Sequence, residues 1–134
     1  MGEMIGKVYL DTTYYPGKDL YSDGAIEDEM LAIARDYTPQ EFNNVIREKE
    51  SWPILYHFSH IRENILGWLP FTGEEKVLEV GAGCGAVTGV LCRKAKEVTS
   101  IDLSMKRSRI NAYRHKDQDN LKILVGNFQE IEQN

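Results

Sequence analysis

Residues 77–89, VLEVGAGCGAVTG, decide the fold. A short apolar run carries one acid, Glu79, and then meets three glycines at alternating positions, Gly81, Gly83 and Gly85. Beyond them Val87, Val90, Leu91 and Ala95 recur at helical spacing, which predicts a helix over 86–96. Strand, glycine turn and helix in that order bring backbone close to a bound molecule, because glycine removes the side chain that would block approach and tolerates positive φ. An adenosine-containing cofactor suits such a turn. The dinucleotide fingerprint G-x-G-x-x-G receives a pyrophosphate, whereas the spacing here is G-x-G-x-G, with Ala86 where a third glycine or alanine would be counted. Glu79 weighs more than the spacing. A negative charge at the strand end repels a pyrophosphate and attracts a cationic ligand, such as one with an ammonium or sulfonium group.

Short apolar runs recur at 76–80, 97–101 and 121–125, separated by helical patterns at 86–96 and 104–115, the latter with Met105, Ile110 and Tyr113 on one face. Such alternation predicts a parallel sheet built from β-α-β units. Before residue 74 the texture is helical. Residues 25–36 place Ile26, Met30, Leu31, Ile33 and Ala34 at helical spacing, with Asp23 positioned to cap the start. Thr38 and Pro39 open a second helix as N-cap and first-turn proline, Glu41 complements its dipole, and Phe42, Val45 and Ile46 form its buried stripe. A third helix is predicted over 52–69, with Leu55, Phe58, Ile61, Ile65, Leu66 and Trp68 inward, ended by Pro70 and a Thr72-Gly73 turn. The opening residues, broken by Pro16-Gly17 and Asp23-Gly24, read as short extended pieces of a lid or appendage. The predicted class is α/β: a helical amino-terminal module, residues 1–73, then a partial Rossmann-like parallel sheet of about three strands with flanking helices, residues 74–134.

Glu79-Val-Gly81-Ala-Gly83-Cys-Gly85 resembles the first motif of the class I S-adenosylmethionine-dependent methyltransferases, and the resemblance extends over residues 76–131. It implies S-adenosylmethionine as cofactor, with Glu79, Gly81, Ala82, Gly83 and Gly85 around it. In that family an acid at the end of the second strand accepts hydrogen bonds from both ribose hydroxyls; Asp102, 17 residues after Gly85 and followed by Leu103, stands in that place. The family's third strand ends at a polar residue that meets the adenine amine beside an apolar ring contact, which implies Asn127 and Phe128 here. Asn127 departs from the commoner Asp, but its side-chain carbonyl can still accept. The 52–69 segment takes the position of helices that close over the cofactor, with two readings open for Tyr56 and Arg62: donors to the methionine carboxylate, or packing and a solvated or helix-paired cation.

In the same family the acceptor pocket comes largely from the fourth strand and later elements, in a seven-stranded sheet whose fourth strand lies beside the first. The resemblance therefore implies the amino-terminal, cofactor-binding part of a longer methyltransferase. It carries no assignable catalytic residue or methyl acceptor, lacks transfer activity in isolation, and leaves an unpaired edge on the strand at 76–80. Two other classes compete: a non-catalytic module that uses that edge to dimerise or complete a partner's sheet, and an NAD-dependent oxidoreductase fragment.

Composition narrows the setting. The 134 residues suffice for a core without disulfides, and no apolar stretch is long enough to span a bilayer. The first residues lack signal-peptide order, so the cytoplasm is the default. Cys84 and Cys92 read as reduced structural thiols, with no metal set. The net charge of −5 is uneven, with 14 acids against 6 bases in residues 1–75 and 7 against 10 afterwards. Overall acidity opposes nucleic-acid backbone affinity, so the basic run Lys106, Arg107, Arg109, Arg114 reads as the solvated side of a helix. His57, His60 and His115 read as structural or solvent-facing.

Overall fold

The computed structural model describes residues 1–19 and 24–133. The chain opens with two strands, β1 (Gly2–Ile5) and β2 (Val8–Asp11), then helices α1 (Ala25–Asp36), α2 (Phe42–Lys49), α3 (Trp52–Phe58) and α4 (Asn64–Gly67). The α/β half follows as β3 (Lys76–Val80), α5 (Thr88–Lys94), β4 (Glu97–Asp102), α6 (Met105–Arg114), β5 (Leu121–Val125) and α7 (Phe128–Glu132). All three expected strands form within a residue of their predicted bounds. They pair in parallel as β5-β4-β3, with Glu79 opposite Ser100 and Asp102 opposite Val125.

The strand count corrects the expectation of about three. The sheet has five strands in the order β1-β2-β5-β4-β3, because the opening residues form an antiparallel hairpin whose second strand runs parallel to β5. Period-2 burial explains the docking: Val8 and Leu10 are fully buried and continue the row made by Leu121, Ile123 and Val125. The hairpin covers the β5 edge; β3 has a strand on one side only among the described residues, as expected. Its outward side chains Leu78 and Val80 are 52% and 54% exposed.

One core lies between the sheet and α5 and α6, where Leu91, Cys92 and Ala112 meet the strand residues. A second joins Met30, Ile33 and Ala34 of α1 to Phe42, Val45, Ile54, Phe58 and Ile110. Cys84 belongs to this second core, so the glycine turn is anchored on the helical module through its one sulfur-bearing residue. Both thiols are buried and pushed up to about 12 by that burial, which keeps them unreactive.

Helix α1 has its expected bounds, while the proposed cap Asp23 lies outside the described residues. Thr38 and Glu41 form a capping box, but the first turn after Pro39 is a 3₁₀ helix, Pro39–Glu41, before α2 begins. The predicted single helix over 52–69 is broken. Ser59 is extended, ends α3, and its hydroxyl accepts from Ile61 N to start a 3₁₀ turn, His60–Glu63, before α4. A serine that can bond its own backbone competes with helix continuation, and the buried stripe changes accordingly. Ile54 and Phe58 are fully buried, whereas Ile61, Ile65 and Trp68, predicted inward, are exposed.

Candidate cofactor site

The carboxyl ends of β3, β4 and β5 open onto two adjoining clefts of about 230 Å³ each, which share Gly81. Gly81 and Gly83 have φ of 77° and 57°, and a side chain added at either would meet nothing within 4 Å. The glycines are set by backbone conformation, and the space over them is free for a ligand. Gly85 differs. Its φ is 84°, but a Cβ there would collide with Asn111 Oδ1, so this glycine is required by packing against α6 and lies in neither cleft.

Four of the turn's N–H groups are occupied. Gly81 N and Ala82 N donate to Ile101 O at 2.8 and 3.1 Å, Gly83 N to Asp102 Oδ1 at 2.9 Å, and Gly85 N to Ala82 O at 3.0 Å. The turn is therefore held by β4 and does not present a row of vacant donors, which is what a pyrophosphate needs.

The first cleft is lined by Glu79, the Gly81–Ala82–Gly83 turn, Tyr56, Arg62 and Arg107. Parallel register puts Ser100 beside Glu79, and α5 brings Thr88 above it: Glu79 Oε1 accepts from Thr88 Oγ1 at 2.6 Å and Ser100 Oγ at 2.7 Å. Oε2 is buried without a hydrogen-bond partner. Burial pushes the Glu79 carboxyl above its ordinary range, against the two hydroxyls that favour its charge, and nearby Asp102 adds to the rise. Arg62 stacks 4.5 Å from the centroid of Tyr56 and makes no ion pair among the described residues. Arg107 donates from Nε to Glu27 Oε2 at 2.7 Å, an acid fully buried on α1.

The second cleft is lined by Val80, Gly81, Asp102, Leu103, Gly126, Asn127 and Phe128. Both Asp102 oxygens already accept from backbone, Oδ1 from Gly83 N and Oδ2 from Ser104 N at 3.1 Å, which fixes the carboxylate and leaves each oxygen a further lone pair. Asn127 caps α7, its Oδ1 accepting from Gln129 N at 2.9 Å. The structure thus gathers Glu79, Gly81, Ala82 and Gly83 in one cleft and Gly81, Asp102, Leu103, Asn127 and Phe128 in the next; Gly85 alone stands apart.

A motif set with this chemistry at these strand ends has relatives. The family model described as Protein-L-isoaspartate(D-aspartate) O-methyltransferase matches residues 17–129. The chain belongs to this family. The isoaspartate methyltransferase family is one of class I S-adenosylmethionine-dependent methyltransferases, as the glycine motif implied. Protein-L-isoaspartate O-methyltransferase of Dictyoglomus turgidum is 35% identical over 80 residues, covering 56% of this chain and 36% of that protein. Ribosomal RNA small subunit methyltransferase A of Borreliella afzelii is 32% identical over 69 residues, covering 52% of this chain and 25% of that protein. The chain thus spans about a third or less of the curated relatives it matches. Among solved structures, phosphoethanolamine N-methyltransferase 1 of Haemonchus contortus aligns at a TM-score of 0.49 with 20% identity, covering 80% of this chain and 22% of that one.

Two of the histidines make structural hydrogen bonds around the glycine motif. His60 Nδ1 meets Glu63 Oε1 at 2.9 Å and Nε2 meets Pro39 O at 3.0 Å, while Glu63 Oε2 pairs with Arg93 on α5. This bridges the helical module to the helix that follows the turn. His115 closes a buried chain of polar groups running from Asn111 through Thr88 to Glu79. Glu63 and Asn111 stand at helical spacing from His60 and His115, three and four residues away, but the links to Pro39, Arg93 and Thr88 join distant parts of the chain. No three His, Cys, Asp or Glu converge as a metal-ligand set among the described residues. No helix of the described residues is long and apolar enough to cross a membrane.

Proposed function

We propose that the two clefts together bind S-adenosylmethionine and that this chain supplies the cofactor half of a methyltransferase. One observation carries the reading: Glu79 Oε2 is buried and unpartnered in the same cleft as Arg62, a guanidinium with no ion pair among the described residues. An anion and a cation facing one small space are complementary to an amino-acid zwitterion, the carboxylate taking the ammonium and the guanidinium the carboxylate. Asp102 accepts the ribose hydroxyls, and Leu103 and Phe128 flank the adenine with Asn127 at its amine. When bound, the cofactor supplies a sulfonium methyl group to a nucleophile. The protein's part is to hold the donor in one orientation, so that approach along the leaving-group axis is prepared in advance.

The occupied N–H groups of the turn and its two flanking carboxylates speak against a pyrophosphate ligand. The relatives divide between protein and ribosomal RNA methylation, so the donor is what they share and the proposal is confined to it. Calorimetry with S-adenosylhomocysteine and with methylthioadenosine, which lacks the amino-acid tail, tests each part separately. Arg62→Ala weakens S-adenosylhomocysteine by about tenfold or more, the loss of one charge-assisted contact, and leaves methylthioadenosine unchanged. Asp102→Ala weakens both. Equal losses for both ligands in Arg62→Ala, or NAD binding as tightly as S-adenosylhomocysteine, would refute the assignment.

A further inference from the structure

A third cavity of about 240 Å³ lies between the helical module and α5 and α6, and it meets the first cofactor cleft at Ala86. On its wall His115 is only 8% exposed. Its protonation pattern follows from its neighbours. The Asn111 amide donates from Nδ2 to Thr88 Oγ1 at 3.2 Å, and the Thr88 hydroxyl donates in turn to Glu79 Oε1. Asn111 therefore turns its Oδ1 to His115 Nδ1 at 2.8 Å, and Asn111 O lies 3.1 Å from the same nitrogen. Two acceptors on Nδ1 place the proton there. Burial, reinforced by the adjacent Arg114, pushes the imidazole down to about 3, so the ring is neutral and Nε2 is a bare lone pair.

That lone pair has no hydrogen-bond partner among the described residues and sits against Gly89, where a Cβ would come within 2.9 Å of it. The same point lies 3.3 Å from Arg93 Nη1. Arg93 gives its other terminal nitrogen to Glu63, which fixes the guanidinium and leaves Nη1 on the same wall beside Gly89. An obligatory acceptor and a fixed cationic donor thus stand side by side on the cavity wall, and the absence of a side chain at Gly89 lets the imidazole pack there.

We propose that this cavity is a second ligand site, selective for a small molecule with a carboxamide edge, its N–H donating to His115 Nε2 and its C=O accepting from Arg93. The pair of functions disfavours either charged alternative. A carboxylate would set an anion against the Nε2 lone pair, and an ammonium would face Arg93. A carboxamide presents donor and acceptor on one plane without net charge.

The test uses the full chain with ring ¹⁵N spectra of His115 and two probes of one shape, benzamide and benzoate. The spectra show the proton on Nδ1; benzamide shifts the Nε2 resonance and benzoate does not. Gly89→Ala, whose Cβ would push the His115 ring out of place, lowers benzamide affinity at least about tenfold, a difference of roughly 1.4 kcal/mol, and leaves S-adenosylhomocysteine affinity unchanged. A proton on Nε2, no response to benzamide, an equal response to benzoate, or full benzamide affinity in Gly89→Ala each overturns the proposal. The tautomer and the benzamide response are read without cofactor, so they stand or fall independently of the cofactor clefts.

Discussion

Replacing Glu79 with Gln moves two observables in opposite directions. In the free protein the carboxylate is held by Thr88 and Ser100 through Oε1 while Oε2 is buried and unsatisfied, and its upward pKa shift means the charged form is disfavoured by the fold. Oε2 and the amide nitrogen that replaces it are both left unsatisfied, but the charged group costs more, by about 1–3 kcal/mol, while turning two charge-assisted bonds into neutral ones returns about 1 kcal/mol of loss for each. The shift fixes the sign of the balance, so Glu79→Gln stabilises the free protein by up to about 1 kcal/mol, a rise of roughly 3 °C in melting temperature. The penalty is fully present above the raised folded pKa and disappears as pH falls towards the ordinary value of 4.5. The gain therefore shrinks between pH 7 and pH 4. S-adenosylhomocysteine affinity falls, because the ammonium loses a charged partner worth about 1.5–3 kcal/mol, or roughly ten- to a hundredfold. Scanning calorimetry and titration calorimetry on the same samples measure both. A variant several degrees less stable than wild type at pH 7, or one that binds within twofold of it, refutes the reasoning.

Asp19 closes the amino terminus of α6 from 85 residues away, accepting from Met105 N at 2.7 Å, Ser104 Oγ at 3.0 Å and Lys106 N at 3.2 Å. Burial opposes its charge, but these donors and the Tyr15 hydroxyl outweigh it and hold the carboxyl below its ordinary range. That stability is complete above about pH 4 and is lost as pH falls through the depressed folded value. Asp19→Asn costs about 1–2 kcal/mol at pH 7, and urea unfolding at pH 7 with an unchanged midpoint would contradict it. Gly85→Ala meets Asn111 as well as a positive φ and costs more than about 3 kcal/mol, whereas Gly83→Ala, strained in φ alone, costs about 1–2 kcal/mol. Urea midpoints that fall in the reverse order would show that the turn, and not α6, sets the demand for glycine.

Much of the candidate site is legible without coordinates because it is local. Glu79, the three glycines, Asp102, Asn127 and Phe128 all sit where an apolar run meets a polar end, and period-2 alternation places each strand end within a residue. The helices at 25–36 and 104–115 are equally plain, since their stripes and caps lie within a few turns. The break at Ser59 escaped because a helix over 52–69 and two shorter turns share the same apolar residues. Only packing against Phe42, 4.7 Å from the Phe58 ring, shows which of them are buried.

By itself, then, the sequence determined the α/β class, the three parallel strands, the glycine turn and the acid that precedes it. These follow from backbone conformation and short-range periodicity. The tertiary structure alone decided that the opening hairpin extends the sheet beside β5, that Gly85 serves α6 while Gly81 and Gly83 face open space, and that Glu79 keeps one bare oxygen. It also decided that His115 is neutral, through burial beside Arg114, and that Thr88 and Ser100 reach Glu79 from 9 and 21 residues away. Such features depend on which distant groups share a low-dielectric interior. No local pattern encodes that, because burial and hydrogen-bond satisfaction are properties of the packed chain.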